Sequence, residues 1–186
     1  MAKALVFLAP GFEEIEASTI VDVLRRSGVD VTVVDLEFNL VSGSHRLKFA
    51  SDKTINNVTV TDFDAVVCPG GPGYENLRKN QKVIAIIQEA FKSNKLVAAI
   101  CAAPAVLSTA GVLKGKACTI YPGMESELEK GGGKPTNEIV VVDGNVVTSK
   151  GPATALPFAL KLAEILTGKK VVEEVRKRML ADIVLK

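Results

Sequence analysis

Short apolar runs alternate with segments of helical periodicity along most of the chain. An apolar run over residues 4–8 precedes a segment over 13–27 in which apolar residues recur every three or four positions, and a β-branched run over 29–36 follows. Gly28 lies where a helix is expected to end. A strand, a helix and a strand in this order form a βαβ unit, so the opening of the chain predicts a parallel sheet covered by helices.

The alternation resumes after a less regular segment. Residues 38–61 lack helical periodicity and carry several turn-forming residues, so a small antiparallel excursion is expected there. The remaining predicted elements are strands over 64–68, 96–100 and 117–120, a hairpin over 139–149 at the sheet margin, and helices over 82–93, 102–110, 125–130, 154–166 and 171–180. Neither a repeat nor a domain linker interrupts this pattern, which predicts a single α/β domain over residues 1–186.

The charge balance gives no reason to expect a nucleic-acid or membrane partner. The chain has 23 basic and 21 acidic residues, and its net charge of +2 is dispersed. The apolar run near the N-terminus is too short for a signal peptide or a spanning helix. A cytoplasmic location is therefore expected.

The cysteine and histidine content limits the available chemistry. Cys68, Cys101 and Cys118 are an odd set without metal-ligand spacing, and His45 is the only histidine. This content is typical of free thiols in a reducing compartment, and neither a disulfide framework nor a metal site is expected.

Cys101 is the first candidate for chemistry because of its position. It directly follows the buried strand predicted over 96–100 and precedes a helix whose start is marked by Pro104. Unpaired backbone N–H groups and the helix dipole at such a junction favour a thiolate, and the small neighbouring residues permit a sharp turn. The alternative is that Cys101 is a small core residue, as free cysteines often are.

A glycine-rich loop is expected at the same edge of the sheet. Gly70 and Gly71 follow the strand predicted over 64–68, and backbone N–H groups there could stabilise an oxyanion. A plain turn is the simpler interpretation of these glycines. The loop matches no phosphate-binding fingerprint, so nucleotide binding is not predicted.

Three carboxylates lie at the start of the first predicted helix, where acidic residues commonly complement the helix dipole. Glu16 differs from Glu13 and Glu14 because its place in the apolar pattern could turn it toward the sheet. Burial would raise the pKa of Glu16 and keep the carboxyl protonated, able to donate a hydrogen bond to a thiolate.

Taken together, four segments resemble the ThiJ/PfpI superfamily, and most closely its Parkinson-disease protein deglycase (DJ-one) branch. They are APGFEEIE at 9–16, VCPGG at 67–71, AAICAAP at 98–104 and TSKGPAT at 148–154. The resemblance spans nearly the whole chain. It implies a homodimer with a flavodoxin-like three-layer sandwich: a mostly parallel central sheet, helices on both faces and a small β-hairpin excursion.

The resemblance also implies roles for individual residues. Cys101 would be the nucleophile and Glu16 its acid/base partner, with backbone oxyanion donors at Gly70, Gly71 and Ala102. Pro152 would close one wall of the pocket. Tyr121 stands where the branch carries a histidine near its cysteine, and His45 would line the pocket from the partner chain, although an ordinary exposed histidine is the alternative.

The implied activity is a cofactor-free glyoxalase or deglycase that acts on methylglyoxal, glyoxal or their early adducts on proteins and nucleotides, in protection against carbonyl and oxidative stress. One alternative is a redox sensor or chaperone whose Cys101 is oxidised to sulfinate. A PfpI-type protease would need a histidine at Ala102, and a glutamine amidotransferase would need one downstream of Cys101, whereas His45 lies upstream. A non-catalytic interaction protein is the last alternative.

Overall fold

A computed structural model describes residues 1–37 and 39–185. Its strands are β1 (Lys3–Leu8), β2 (Asp30–Asp35), β3 (Leu40–Ser42), β4 (Lys48–Ala50), β5 (Lys53–Thr54), β6 (Ala65–Cys68), β7 (Leu96–Ile100), β8 (Ala117–Cys118), β9 (Lys134–Pro135), β10 (Val140–Asp143) and β11 (Val146–Ser149). Its α-helices are α1 (Glu14–Arg26), α2 (Tyr74–Lys79), α3 (Gln81–Lys92), α4 (Pro104–Thr109), α5 (Glu125–Lys130), α6 (Ala155–Thr167) and α7 (Lys169–Arg178).

Seven strands form the central sheet in the order β10, β11, β7, β6, β1, β2, β5. All neighbouring pairs are parallel except the hairpin of β10 and β11, which lies at one margin as predicted. The carboxyl ends of β1, β6 and β7 therefore meet at one edge of the sheet. That edge is where ligands bind in open sheets of this kind.

Helices cover both faces of the sheet. Along β1, Ala4, Val6 and Leu8 pack into one apolar layer with α1 and α6, whereas Leu5 and Phe7 pack into the opposite layer with α3 and α4. Strands buried on both faces have nearly continuous apolar runs, which explains the pattern in the sequence. The result is the predicted flavodoxin-like three-layer sandwich.

The antiparallel excursion is confirmed as the hairpin of β3 and β4, which stands apart from the central sheet. It packs beside the loop that follows β1: the Gly11 N–H donates to the Ser42 carbonyl at 2.8 Å, and the Ser44 N–H donates to the Phe12 carbonyl at 2.8 Å. The rings of Phe12 and Phe49 meet edge to face at 5.0 Å. Phe38, the first residue of the predicted excursion, lies outside the described residues.

Three local features differ from the sequence prediction. Helix α4 begins at Pro104 rather than at Ala102, because the three residues before it form a turn. The short helix α2 was not predicted, because six residues are too few to display a helical period. Strand β5 pairs in parallel with β2 and extends the central sheet instead of joining the excursion.

Within the described residues, every helix is too short or too polar to cross a bilayer. The cytoplasmic location stays a prediction.

Candidate active site

Cys101 lies at the turn between β7 and α4, in a backbone conformation that few side chains adopt. Its φ is +63°, in the left-handed region, which costs a non-glycine residue about 1–2 kcal/mol. Two hydrogen bonds hold this turn: the Cys101 N–H donates to Ser149 at 2.9 Å, and the Cys101 carbonyl accepts from Tyr121 at 2.8 Å. The predicted sharp turn is confirmed. Backbone strain of this kind is concentrated at functional sites.

Glu16 projects from the first turn of α1 into the protein interior and is fully buried. Its Oε2 accepts the Gly70 N–H at 2.7 Å, and the Cys101 thiol interacts with the same carboxylate. Its Oε1 is buried and has no hydrogen-bond partner among the residues that the structure describes. The predicted orientation toward the sheet is thus observed.

The glycine-rich loop after β6 reaches both functional side chains. A Cβ at Gly70 would lie 2.6 Å from the Cys101 Cβ, and a Cβ at Gly71 would lie 2.6 Å from the Glu13 nitrogen. Gly71 also has a φ of +81°. Only glycine fits these two positions, because any side chain would displace the backbone or the nucleophile.

The backbone amides of this loop and of the Cys101 turn are divided between the two functional groups. Those of Gly71 and Ala102 donate hydrogen bonds to the Cys101 sulfur. The Gly70 N–H instead donates to Glu16, so in this structure it is engaged by the carboxylate and does not face the cavity as an oxyanion donor. Two backbone amides therefore lie at the sulfur, and the Gly70 N–H does not take the place of the third oxyanion donor that the resemblance implies.

Burial raises the pKa of the Glu16 carboxyl to about 7, although the Gly70 hydrogen bond lowers it; the charge of Glu13 adds to the increase. This agrees with the expectation from the sequence. The pKa of the Cys101 thiol is also raised, to about 12, first by burial and then by the Glu16 carboxylate, against the lowering effect of the Gly71 and Ala102 amides.

The expectation that the helix start would favour a Cys101 thiolate is therefore wrong for the pair at rest. Helix α4 has only six residues, and the loss of hydration outweighs the Gly71 and Ala102 amides. Because two adjacent negative charges oppose each other, Cys101 and Glu16 titrate as a coupled pair. A thiolate forms most readily when Glu16 holds the proton.

A cavity of about 410 Å³ opens at the sulfur. It is lined by the Cys101 turn, the loop after β6, the start of α2 and the loop before α5; the residues are Gly71, Pro72, Tyr74, Glu75, Cys101, Ala102, Tyr121 and Met124. A volume of this size admits a small carbonyl compound or the end of a side chain. Sequence reasoning missed Tyr74, Glu75 and Met124, although an aromatic and an acidic residue directly after a glycine-rich loop were a usable signal.

The other predicted binding residues are distributed differently. Tyr121 lines the cavity, with 48% of its surface exposed. Pro152 does not line it; the preceding Gly151 approaches the Tyr121 ring, so this segment lies behind the tyrosine. His45 also lies outside the cavity of its own chain, and its side chain is 77% exposed. Its contribution to a partner's pocket stays a prediction.

Among the described residues, Glu13, Glu14 and His45 bring three potential metal-ligand atoms within 4.8 Å of one another. Glu14 already accepts the His45 N–H at 2.6 Å and the Ser44 hydroxyl at 3.1 Å. Burial raises the pKa of Glu14, but these hydrogen bonds outweigh it and lower the pKa to about 2. The cluster therefore fastens the β3–β4 hairpin to α1.

Comparison with known proteins extends the resemblance. The DJ-1/PfpI family model matches residues 2–165. Protein DJ-1beta of Drosophila melanogaster is 43% identical over 180 residues, 96% of this chain and 96% of that protein. Its crystal structure matches with a TM-score of 0.92 over 96% of this chain and 97% of the other.

Two more distant relatives carry informative names. Deglycase PH1704 of Pyrococcus horikoshii is 34% identical over 164 residues, which is 88% of this chain and 99% of that protein. A structure described as oxidized DJ-1 of Toxoplasma gondii is 36% identical and has a TM-score of 0.90, covering 97% of this chain and 98% of the other. The family match confirms the resemblance identified from the motifs: the chain belongs to the DJ-1/PfpI family.

Proposed function

We propose that the chain is a cofactor-free, cysteine-dependent glyoxalase and deglycase. It would convert 2-oxoaldehydes such as methylglyoxal and glyoxal, and their early adducts, to 2-hydroxy acids. The observation that carries this proposal is the facing pair of Cys101 and Glu16, with two backbone amides at the sulfur and a cavity open to it. The deglycase name of the Pyrococcus horikoshii relative supports the same reaction class.

In the first step, the Cys101 sulfur attacks the aldehyde carbon. Glu16 accepts the thiol proton and delivers it to the aldehyde oxygen, which yields a neutral hemithioacetal and restores the carboxylate. The Gly71 and Ala102 amides stabilise the negative charge that develops on that oxygen. A Glu16 pKa of about 7 suits a group that must accept and release protons near neutral pH.

In the second step, Glu16 moves a proton between adjacent carbons. It removes the hydrogen from the carbon bonded to sulfur and returns a proton to the neighbouring carbonyl carbon, while the hydroxyl proton passes to the neighbouring oxygen. The product is a thioester of a 2-hydroxy acid. Water then adds to the acyl carbon, the C–S bond breaks, and the sulfur regains its proton. Methylglyoxal and water give lactic acid without net oxidation.

Deglycation needs one preceding exchange. An aminocarbinol, formed when an amine or guanidine adds to the same aldehyde, loses its nitrogen group as the Cys101 sulfur takes its place. The departing nitrogen takes up the proton that the Cys101 thiol loses, and the resulting hemithioacetal then follows the steps above. Free aldehyde and early adduct therefore share one intermediate.

The test is lactate formation from methylglyoxal without glutathione. Cys101→Ser and Glu16→Gln should each lower kcat/KM by at least about a thousandfold, because each removes a group that acts on the reacting atoms. Cys118→Ser is the matched control, since this buried thiol lies outside the cavity. Absence of lactate formation by the reduced wild-type protein would refute the proposal.

Oxidative sensing is a second candidate, favoured by the donors around the sulfur. A sulfinate at Cys101 could accept hydrogen bonds from the Gly71 and Ala102 amides and from protonated Glu16. If this is the main role, mild peroxide should add two oxygen atoms to Cys101 in the wild type and fewer in Glu16→Gln. Intact-mass and peptide-mass measurements distinguish this outcome from turnover.

We also propose that the chain acts as a homodimer. Ile15 on α1 and Leu47 in the β3–β4 hairpin are each 57% exposed, and Glu14 binds the hairpin to this end of α1. An exposed apolar surface of this kind suits a contact with a second copy. The same contact could carry His45 toward the partner's cavity.

A further inference from the structure

A second cavity, of about 240 Å³, lies beside the Cys101 cavity and shares no lining residue with it. Ile120 and Pro122 line the second cavity, whereas Tyr121 between them lines the Cys101 cavity. The Tyr121 N–H also donates to the Cys101 carbonyl at 2.8 Å. The segment 120–122 is therefore a wall with one cavity on each side.

Two threonine hydroxyls lie at one end of the second cavity. Thr119 directly follows β8 and Thr136 directly follows β9, and these strands pair in parallel, so both threonines lie at the same end of the pair. Thr119 is only 1% exposed. Both hydroxyl oxygens are buried and have no hydrogen-bond partner among the residues that the structure describes. Because an unpaired buried hydroxyl is costly, a polar ligand in this cavity would be stabilised by pairing with them.

The cavity carries one positive charge, on Lys150. No other lysine or arginine is found among the described residues of its lining. The Lys150 ammonium donates to the Asn137 side-chain carbonyl at 2.5 Å, and this neutral acceptor leaves two N–H groups for a ligand. Glu125, at the exposed rim, accepts the Gly123 N–H at 2.9 Å. The charge of Lys150 is thus available beside the two hydroxyls.

The remaining walls are apolar. Leu128 is completely buried, and Ile120 is 2% exposed. Pro135 adds a third apolar surface. A ligand that fills this volume therefore combines a polar end, which faces the hydroxyls and the ammonium, with a short alkyl group.

From this arrangement we infer that the cavity is a binding site for a short aliphatic carboxylate. The carboxylate oxygens accept hydrogen bonds from the Lys150 ammonium and from the Thr119 and Thr136 hydroxyls, and the alkyl group contacts the apolar walls. One cation with a carboxylate at the rim favours a singly charged ligand over a phosphate dianion. Binding at this site does not rest on the proposed function.

The experiment titrates propionate into the full chain and follows side-chain methyl signals by NMR. Ile120 and Leu128 report on the second cavity, and Met124 reports on the Cys101 cavity. The Ile120 and Leu128 signals should shift most and should saturate with a Kd on the order of 1 mM. Propionamide, which has the same shape without the charge, and inorganic phosphate should each bind at least about tenfold more weakly.

Substitutions then test the polar groups. Lys150→Gln should raise the Kd for propionate at least about tenfold, because it removes a charged donor. Lys92→Gln, at an exposed lysine of α3 outside the cavity, changes the net charge equally and should leave the Kd within about twofold.

Thr119 allows a matched pair of variants. Thr119→Val removes the hydroxyl and should raise the Kd about fivefold, whereas Thr119→Ser retains the hydroxyl and should stay within about twofold of the wild type. Thr119→Val should fold with at least wild-type stability, because its hydroxyl has no partner to lose among the described residues.

Three results would overturn the inference. The first is an equal Kd for propionate in the wild type and in Lys150→Gln. The second is a set of shifts confined to Met124, which would place the carboxylate in the Cys101 cavity. The third is no saturation below about 100 mM, which would mean that the hydroxyls bind water alone. None of these measurements needs turnover, so failure of the proposed function leaves this inference standing.

Discussion

Cys68 and Cys101 stand at the carboxyl ends of two neighbouring parallel strands, and the pKa of each thiol is raised to about 12. The causes differ. Burial alone raises the pKa of Cys68, which is the last residue of β6 and is completely enclosed. At Cys101, burial acts together with a facing carboxylate, and two backbone amides oppose them.

The difference lies in where the chain turns. Cys68 ends its strand in extended backbone and points into the apolar layer below α3 and α4. Cys101 lies one residue beyond its strand, and its positive φ brings the sulfur to the cavity, where 8% of the residue is exposed. A raised thiol pKa therefore does not distinguish an inert cysteine from a nucleophile. The groups that surround the sulfur do.

The largest expected effect is a pH dependence of folding stability. It comes from Glu16, which faces Cys101, and Cys68 has no such partner. The pKa of Glu16 in the folded protein, about 7, lies above its ordinary value of 4.5, so the folded state binds this proton more tightly than the unfolded chain. The protonated Glu16 carboxyl therefore stabilises the folded state. This contribution is fully present below pH 4.5 and disappears as the pH rises through 7. The loss amounts to at most about 3 kcal/mol in the free energy of unfolding.

Urea unfolding of the wild type and of Glu16→Gln across this pH range measures the effect. The wild type should lose stability relative to Glu16→Gln between pH 4.5 and 7. Glu129→Gln, at an exposed glutamate of α5, is the control and should follow the wild type. Cys68 does not contribute in this window, because its raised pKa affects stability only above its ordinary value of 9.0. Parallel curves for the wild type and Glu16→Gln would contradict the raised pKa.

The next effect is on thiol reactivity. Glu16→Gln removes the carboxylate that adds to the pKa of Cys101, so iodoacetamide at pH 8 should alkylate this cysteine about tenfold faster than in the wild type. Cys68 should remain unreactive in both proteins, and peptide-mass mapping separates the two sites. Slower alkylation in Glu16→Gln would mean that the carboxylate promotes thiolate formation. Faster alkylation of Glu16→Gln together with loss of lactate formation would show that Glu16 is needed for catalysis but not for thiolate formation.

The layers of the fold could be predicted from the sequence because its apolar runs reflect burial on both faces of a parallel sheet. Cys101 and Glu16 could be identified as candidates because strand ends and helix starts can be located from periodicity. Helix α2 was missed because six residues show no period, and with it the two cavity residues Tyr74 and Glu75 were missed.

The hydrogen bonds and pKa values of Cys101 and Glu16 depend on interatomic distances that the sequence pattern does not contain. The Gly70 amide could equally have served an oxyanion or a carboxylate, and only the 2.7 Å contact with Glu16 decides between them. The pKa of Cys101 depended on the balance between burial, one carboxylate and two amides. The sequence analysis identified the amides but considered Glu16 only in its protonated form, and so omitted the repulsion between an ionised Glu16 and a Cys101 thiolate.

The smallest expected effect tests the backbone difference directly, by comparing glycine with alanine at each cysteine. At Cys101 the φ of +63° strains alanine, so Cys101→Gly should be more stable than Cys101→Ala by about 1 kcal/mol. At Cys68, inside a strand, Cys68→Ala should be more stable than Cys68→Gly by a similar amount, about 1 kcal/mol, because glycine loses more chain entropy on folding. Denaturant unfolding of the four variants measures both differences, and the loss of the sulfur cancels within each pair. If alanine is the more stable substitution at Cys101 as it is at Cys68, strain at the Cys101 turn is absent. Opposite signs would mean that the turn is maintained against its own backbone preference by the contacts with Ser149 and Tyr121.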